Sequence, residues 1–102
     1  MKKIIITGAA NGVGKAVANI LKENDLILID EDKDNLISLS SLLNANYYIC
    51  DLSNDEQIKH VINDIKTKYD KIDCLINCAG VWISGDMSKL ELPVFDEMND
   101  IS

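Results

Sequence analysis

Four short apolar runs recur along the chain, at residues 4–6, 26–29, 47–50 and 74–76, and none alternates with polar residues. Continuous runs of this length suit strands covered on both faces, as in a parallel sheet. The segments between them carry helical spacing instead. Val13, Ala16, Val17, Ile20 and Leu21 form one apolar stripe, and Leu36, Leu39, Leu42 and Leu43 form a second. The clearest is Ile58, Val61, Ile62, Ile65 and Tyr69, with Ser53 or Asn54 as cap and Asp55 and Glu56 near the positive end of the helix dipole. The order strand, helix, strand, helix, strand, helix, strand predicts an α/β fold. Right-handed crossovers place the helices on both faces of a parallel sheet of about four strands, half to two-thirds of a doubly wound fold.

The 102 residues are enough for one domain, residues 1–102. A net charge of -7, with ten basic residues that are all lysine, leaves no basic stripe for nucleic acid or an anionic membrane. No apolar run approaches the ~20 residues that span a bilayer. The apolar stretch after Lys2 and Lys3 is too short for a signal peptide, so a cytoplasmic location is expected. Cys50, Cys74 and Cys78 contain no C-x-x-C pair, which argues against a disulfide framework or a metal site.

The first apolar run leads into "TGAANGVG", with glycines at 8, 12 and 14 and Lys15 directly after. A triphosphate-binding loop needs four residues between its first glycine and a Gly-Lys pair, then Ser or Thr. Here five separate Gly8 from Gly14, and Ala16 follows Lys15, so the pattern fails twice. A dinucleotide turn fits better: a strand, a glycine turn, and a helix whose N-terminus meets the pyrophosphate. In that reading Gly8 turns the chain out of the strand. Gly12 admits the phosphates and Gly14 lets the helix pack closely. Asp30 closes the second strand 22 residues after Gly8, where a carboxylate accepts from ribose hydroxyls and repels a 2′-phosphate. Neither Asn11 in the loop nor Glu31 after Asp30 supplies the positive charge that NADP would want, so NAD is expected in preference to NADP.

"CDLS" closes the third run and "NCAG" the fourth, again at the carboxyl ends of strands. With T-G-x-x-x-G-x-G after the first strand and Asp after the second, the chain resembles the short-chain dehydrogenase/reductase family over essentially its whole length. The resemblance implies a Rossmann-type domain. Gly8, Gly12 and Gly14 would wrap the pyrophosphate, with Thr7, Asn11 and Val13 in the same cofactor-binding turn. Asp30 would hold the ribose, and Asp51 would bond the adenine amino group with Leu52 beside it. Asn77, Ala79 and Gly80 would line the cofactor and steady the sheet. Cys78 stands where the family often has a second Asn, and Ser102 falls where a supporting Asn usually sits.

The implied reaction is hydride exchange between NAD(H) and an alcohol or carbonyl substrate. The family's proton transfer uses a Tyr-x-x-x-Lys pair. Here Tyr47, Tyr48 and Tyr69 are followed four residues on by Asp51, Leu52 and Asp73, so no catalytic residue is assigned. The chain is therefore expected to be the cofactor half of a longer enzyme, inactive alone, whose relatives are often homo-oligomers. An apolar fourth strand left at an open edge supports that expectation. The alternative is a non-catalytic dinucleotide sensor or interaction module. His60 reads as a solvated surface residue, and Trp82 as loop packing or, by the resemblance, a neighbour of the nicotinamide side.

Overall fold

In the computed structural model, which describes residues 1–78, the chain alternates strand and helix: β1 (Lys3–Thr7), α1 (Gly12–Ile20), β2 (Asp25–Asp30), α2 (Lys33–Leu43), β3 (Asn46–Ile49), α3 (Asp55–Lys68) and β4 (Cys74–Asn77). The strands form one parallel sheet in the order β3-β2-β1-β4. The order reverses beside β1, because β2 pairs on one side of it and β4 on the other. Pro93 and the helix expected to begin there lie outside the described residues.

The apolar runs of β1 and β2 are continuous because both faces of these strands are covered. Ile5, Ile27 and Ile29 pack towards α3 with Ile58, Val61, Ile62 and Ile65. Ile4, Ile6, Leu26 and Leu28 face the other way, against Ala18 of α1 and Leu36 and Leu39 of α2. β3 departs from the expected pattern. Asn46, Tyr47 and Ile49 are exposed and Tyr48 is half-buried, because among the described residues β3 lies at the sheet's edge and pairs with β2 alone. Tyr48 packs beside α3, and the buried member of that run is Cys50, one residue past the strand.

The stripe expected on α3 is the one that is buried, with Tyr69 packed at its end. Asn54 rather than Ser53 is its cap, accepting the Gln57 N–H at 3.1 Å, with Asp55 and Glu56 in the first turn. Asn54→Ala is expected to lower stability by about 1 kcal/mol, read as a lower urea midpoint at unchanged slope.

The other two stripes differ from expectation. On α1, Val13 and Ile20 are exposed at 71% and 77%, Ala16 is exposed, and the buried positions are Gly14 and Ala18. The reason is the approach distance. A Cβ on Gly14 would stand 2.0 Å from the Gly8 carbonyl oxygen, so the helix lies backbone-to-backbone on the turn that precedes it. That contact turns the small residues inward and leaves Val17 and Leu21 at the flank. On α2 the inward set is Leu36, Leu39 and Ser40, with Leu43 partly covered, while Leu42 is 75% exposed. Leu42 lies well off the 36-39-40-43 face because each helical residue turns the direction by about 100°.

Candidate dinucleotide site

The carboxyl ends of β1, β2 and β4 converge on the turn between β1 and α1. Thr7 is fully buried, and its hydroxyl donates to Asn77 Oδ1 at 2.7 Å, tying the ends of β1 and β4. The Cys78 N–H then donates to the Thr7 carbonyl at 3.1 Å. On the other side the Gly8 N–H donates to the Ile29 carbonyl at 2.8 Å, so the turn begins anchored to β2. Gly8 and Gly12 sit at φ of 65° and 56°, a region that side chains resist. Among the described residues nothing lies within 4 Å of a would-be Cβ on Gly12, so none of them covers its backbone on that side.

Asp30 joins the strand end to the turn. One carboxylate oxygen accepts the Ala10 N–H at 3.0 Å and the other accepts the Asp32 N–H at 3.0 Å. A carboxylate has about four acceptor positions, so each oxygen keeps room for one further donor. Asp32 is the cap of α2, taking the Asn35 N–H, and also accepts the Asn11 and Asn35 side-chain amides at 2.9 and 2.7 Å. Those amide donors, Asn11 foremost, hold the Asp32 carboxyl below the ordinary value. Asp32 and Asn35 were not singled out from sequence. An Asp three residues ahead of Asn35 at the opening of a helix is a capping signal, hidden here inside the acidic run 30–32.

Asp51 turns on itself after β3. Its carboxylate accepts both the N–H and the hydroxyl of Ser53, which lowers its pKa, while its own N–H donates to Gln57 Oε1 at 2.8 Å. Leu52 packs against the core beside α3, and burial together with Asp51 pushes the Cys50 thiol up to about 11. Val13 projects outward beside the turn. Thr7, Gly8, Asn11, Gly12, Val13, Gly14, Asp30 and Asn77 thus surround one turn, with Asp51 and Leu52 at the end of the neighbouring strand. Ala79, Gly80 and Trp82 lie outside the described residues.

α1 differs from its two neighbours in how it begins. α2 and α3 are capped by the side chains of Asp32 and Asn54. α1 has Asn11 at the cap position, yet the Asn11 side chain makes no capping hydrogen bond and the first turn carries no acidic residue. Its first N–H groups therefore keep the partial positive charge of a helix N-terminus, which attracts anions.

A family model described as short chain dehydrogenase matches residues 2–102. The chain belongs to the short-chain dehydrogenase family. Among curated relatives, 3-ketodihydrosphingosine reductase of Mus musculus is 28% identical over 97% of this chain and 33% of its own length. NAD-dependent glycerol dehydrogenase of Listeria innocua is 34% identical over 78% of this chain and 33% of its own length. The chain spans about a third of the length of these relatives. The structure of a Haemophilus influenza protein provisionally assigned as a D-mannonate oxidoreductase, with bound NAD, superposes with a TM-score of 0.66. It is 29% identical, and the match covers 74% of this chain and 29% of that one.

The tyrosines of this short-chain dehydrogenase domain lie away from the turn. The Tyr48 hydroxyl donates to Asp64, and Tyr69 Oη accepts from Asn46 at 2.7 Å, where β3 begins. Burial raises the pKa of both, and Asp64 adds to the effect on Tyr48. His60 is exposed on α3. No helix among the described residues is long and apolar enough to cross a membrane.

Among the described residues, the carboxylates of Asp32, Asp51, Asp64 and Asp73 are held below their ordinary value. Asp32 is held by Asn11, Asp51 by Ser53, Asp64 by Tyr48 and then Lys68, and Asp73 by the Lys3 N–H at 2.8 Å. Each folded pKa lies below its unfolded one, so each contributes stability above the unfolded value near ~4 that is lost as pH falls through the folded value. The urea midpoint is expected to stay flat from about pH 7 to 5 and to fall below about pH 4. Asp73→Asn should make that acid slope shallower. An unchanged slope in the variant would remove Asp73 from the account.

Proposed function

We propose that this domain holds NAD(H) for hydride exchange between the cofactor and an alcohol or carbonyl substrate. The observation that carries the reading is the uncapped N-terminus of α1, set against the open backbone of Gly12 and one strand from Asp30. The pyrophosphate would take the first N–H groups of α1. Both adenosine ribose hydroxyls would take the remaining acceptor positions of Asp30, and Asp51 and Leu52 would border the adenine. The bound nicotinamide supplies the hydride chemistry. The Listeria relative named as NAD-dependent and the neighbour with bound NAD support this cofactor. NADP is disfavoured because its 2′-phosphate would meet the carboxylates of Asp30 and Asp32.

In this reading the proton-transfer pair comes from sequence outside these 102 residues, and the chain alone binds without turnover in the cytoplasm. Homo-oligomers belong to the longer protein. Fluorescence titration of the chain with NADH and NADPH tests the cofactor assignment. NADH is expected to bind at least about tenfold tighter, a difference of ~1.4 kcal/mol. Equal or tighter NADPH binding would remove the role given to Asp30.

A further inference from the structure

Asn11 occupies the cap position of α1 with extended backbone angles, φ -144° and ψ 161°, the conformation from which an Asn side chain ordinarily folds back to accept its own helix's N–H. It does not do so. Its amide nitrogen donates to Asp32 Oδ2 at 2.9 Å, and its Oδ1 accepts from Asn35 Nδ2 at 3.5 Å. Asn35 Nδ2 also donates to Asp32 Oδ2 at 2.7 Å, closing a three-residue ring between the glycine turn and the start of α2.

We propose that Asp32 is a positioning residue that holds Asn11 away from α1, keeping the anion-binding end of that helix open. The inference rests on the dinucleotide reading above. Left alone, Asn11 has both the backbone conformation and the side chain to cap α1, and it would occupy the N–H groups that a pyrophosphate needs. Asp32 removes this competitor by giving the Asn11 amide a charged acceptor, the stronger kind of partner. The helix end is thus exposed before any ligand arrives. One carboxylate serves two helices, capping α2 and preventing the capping of α1.

Two substitutions separate this role from simple capping. Asp32→Ser keeps a good cap on α2, while its shorter side chain cannot hold Asn11. NADH affinity of the full 102-residue chain is measured by fluorescence titration, with urea midpoints as a check on folding. D32S is expected to bind NADH about threefold to tenfold more weakly, since one cap interaction must be broken first. Adding Asn11→Ala deletes the competing cap, so D32S/N11A should bind more tightly than D32S and as tightly as N11A alone. A purely structural Asp32 predicts no change in D32S, and that result overturns the proposal. D32S/N11A binding no better than D32S overturns it as well, because the loss then does not run through Asn11. Failure of the unaltered chain to bind NADH overturns the dinucleotide reading and this inference together. Binding by the unaltered chain with D32S unaffected overturns the inference alone.

Discussion

Gly14→Ala is expected to destabilise the domain by about 3 kcal/mol, towards the upper end of what overpacking a tight contact costs. The added Cβ would meet the Gly8 carbonyl oxygen at 2.0 Å, the Gly8 carbonyl carbon at 2.7 Å and Ala9 Cα at 2.9 Å. All three are backbone atoms, so no rotamer change relieves the clash and α1 must move off the sheet. The turn would lose its shape together with the packing of Ala18, and NADH binding should fall with it. Small domains have roughly 5–15 kcal/mol of stability in total, so the thermal midpoint should drop on the order of 10–20 °C. Gly12→Ala is the control. Its φ of 56° imposes strain of ~1–2 kcal/mol, but no described residue lies within 4 Å of the new Cβ. Gly14→Ala should therefore destabilise more than Gly12→Ala, and the reverse order in urea midpoints would refute the close approach of α1 to the turn.

Asp30→Ala carries the largest expected effect on binding. The substitution strips the Ala10 and Asp32 N–H groups of their acceptor, and Ala10 is buried at 2% exposure. A buried N–H without a partner costs about 1–3 kcal/mol, so the turn would loosen before any cofactor arrives. In the proposed mode two ribose hydroxyls also lose their carboxylate. At ~1.5 kcal/mol for each such bond, NADH should bind on the order of 100-fold more weakly. Asp30→Asn keeps one acceptor oxygen and removes the charge, so it should lose less NADH affinity and narrow the gap to NADPH. Calorimetric titration of both variants reads these changes. NADH affinity within twofold of the original in Asp30→Ala would show that Asp30 serves the turn only.

The alternation of strands and helices and the buried face of α3 were legible because their signals are local: apolar runs of strand length, and a stripe at helical spacing with Asn54 ahead of it. The buried face of α1 was not. Counting apolar residues points to Val13, Ala16 and Ile20, but the face is chosen by which side chains are small enough for the backbone to approach Gly8, and that is a tertiary condition. The exposure of β3 was hidden for a similar reason. The run 47–50 reads like the others until the sheet order leaves it with one neighbour. The turn at Gly8 and Gly12, the close packing at Gly14 and the place of Asp30 at the end of β2 were readable from spacing. The division of labour between Asp30 and Asp32 was not, since two carboxylates separated by one residue look alike until the backbone sends one to the turn and the other to the cap of α2.

The most direct measurement is an NMR titration of the 15N-labelled chain with NADH, followed at the backbone amides. The account predicts saturable shifts concentrated at Gly12, Val13 and Gly14, with a second set at Ala10 and Asp32 as the ribose engages Asp30. Shifts confined to other parts of the domain, with these five amides unmoved at saturation, would contradict it.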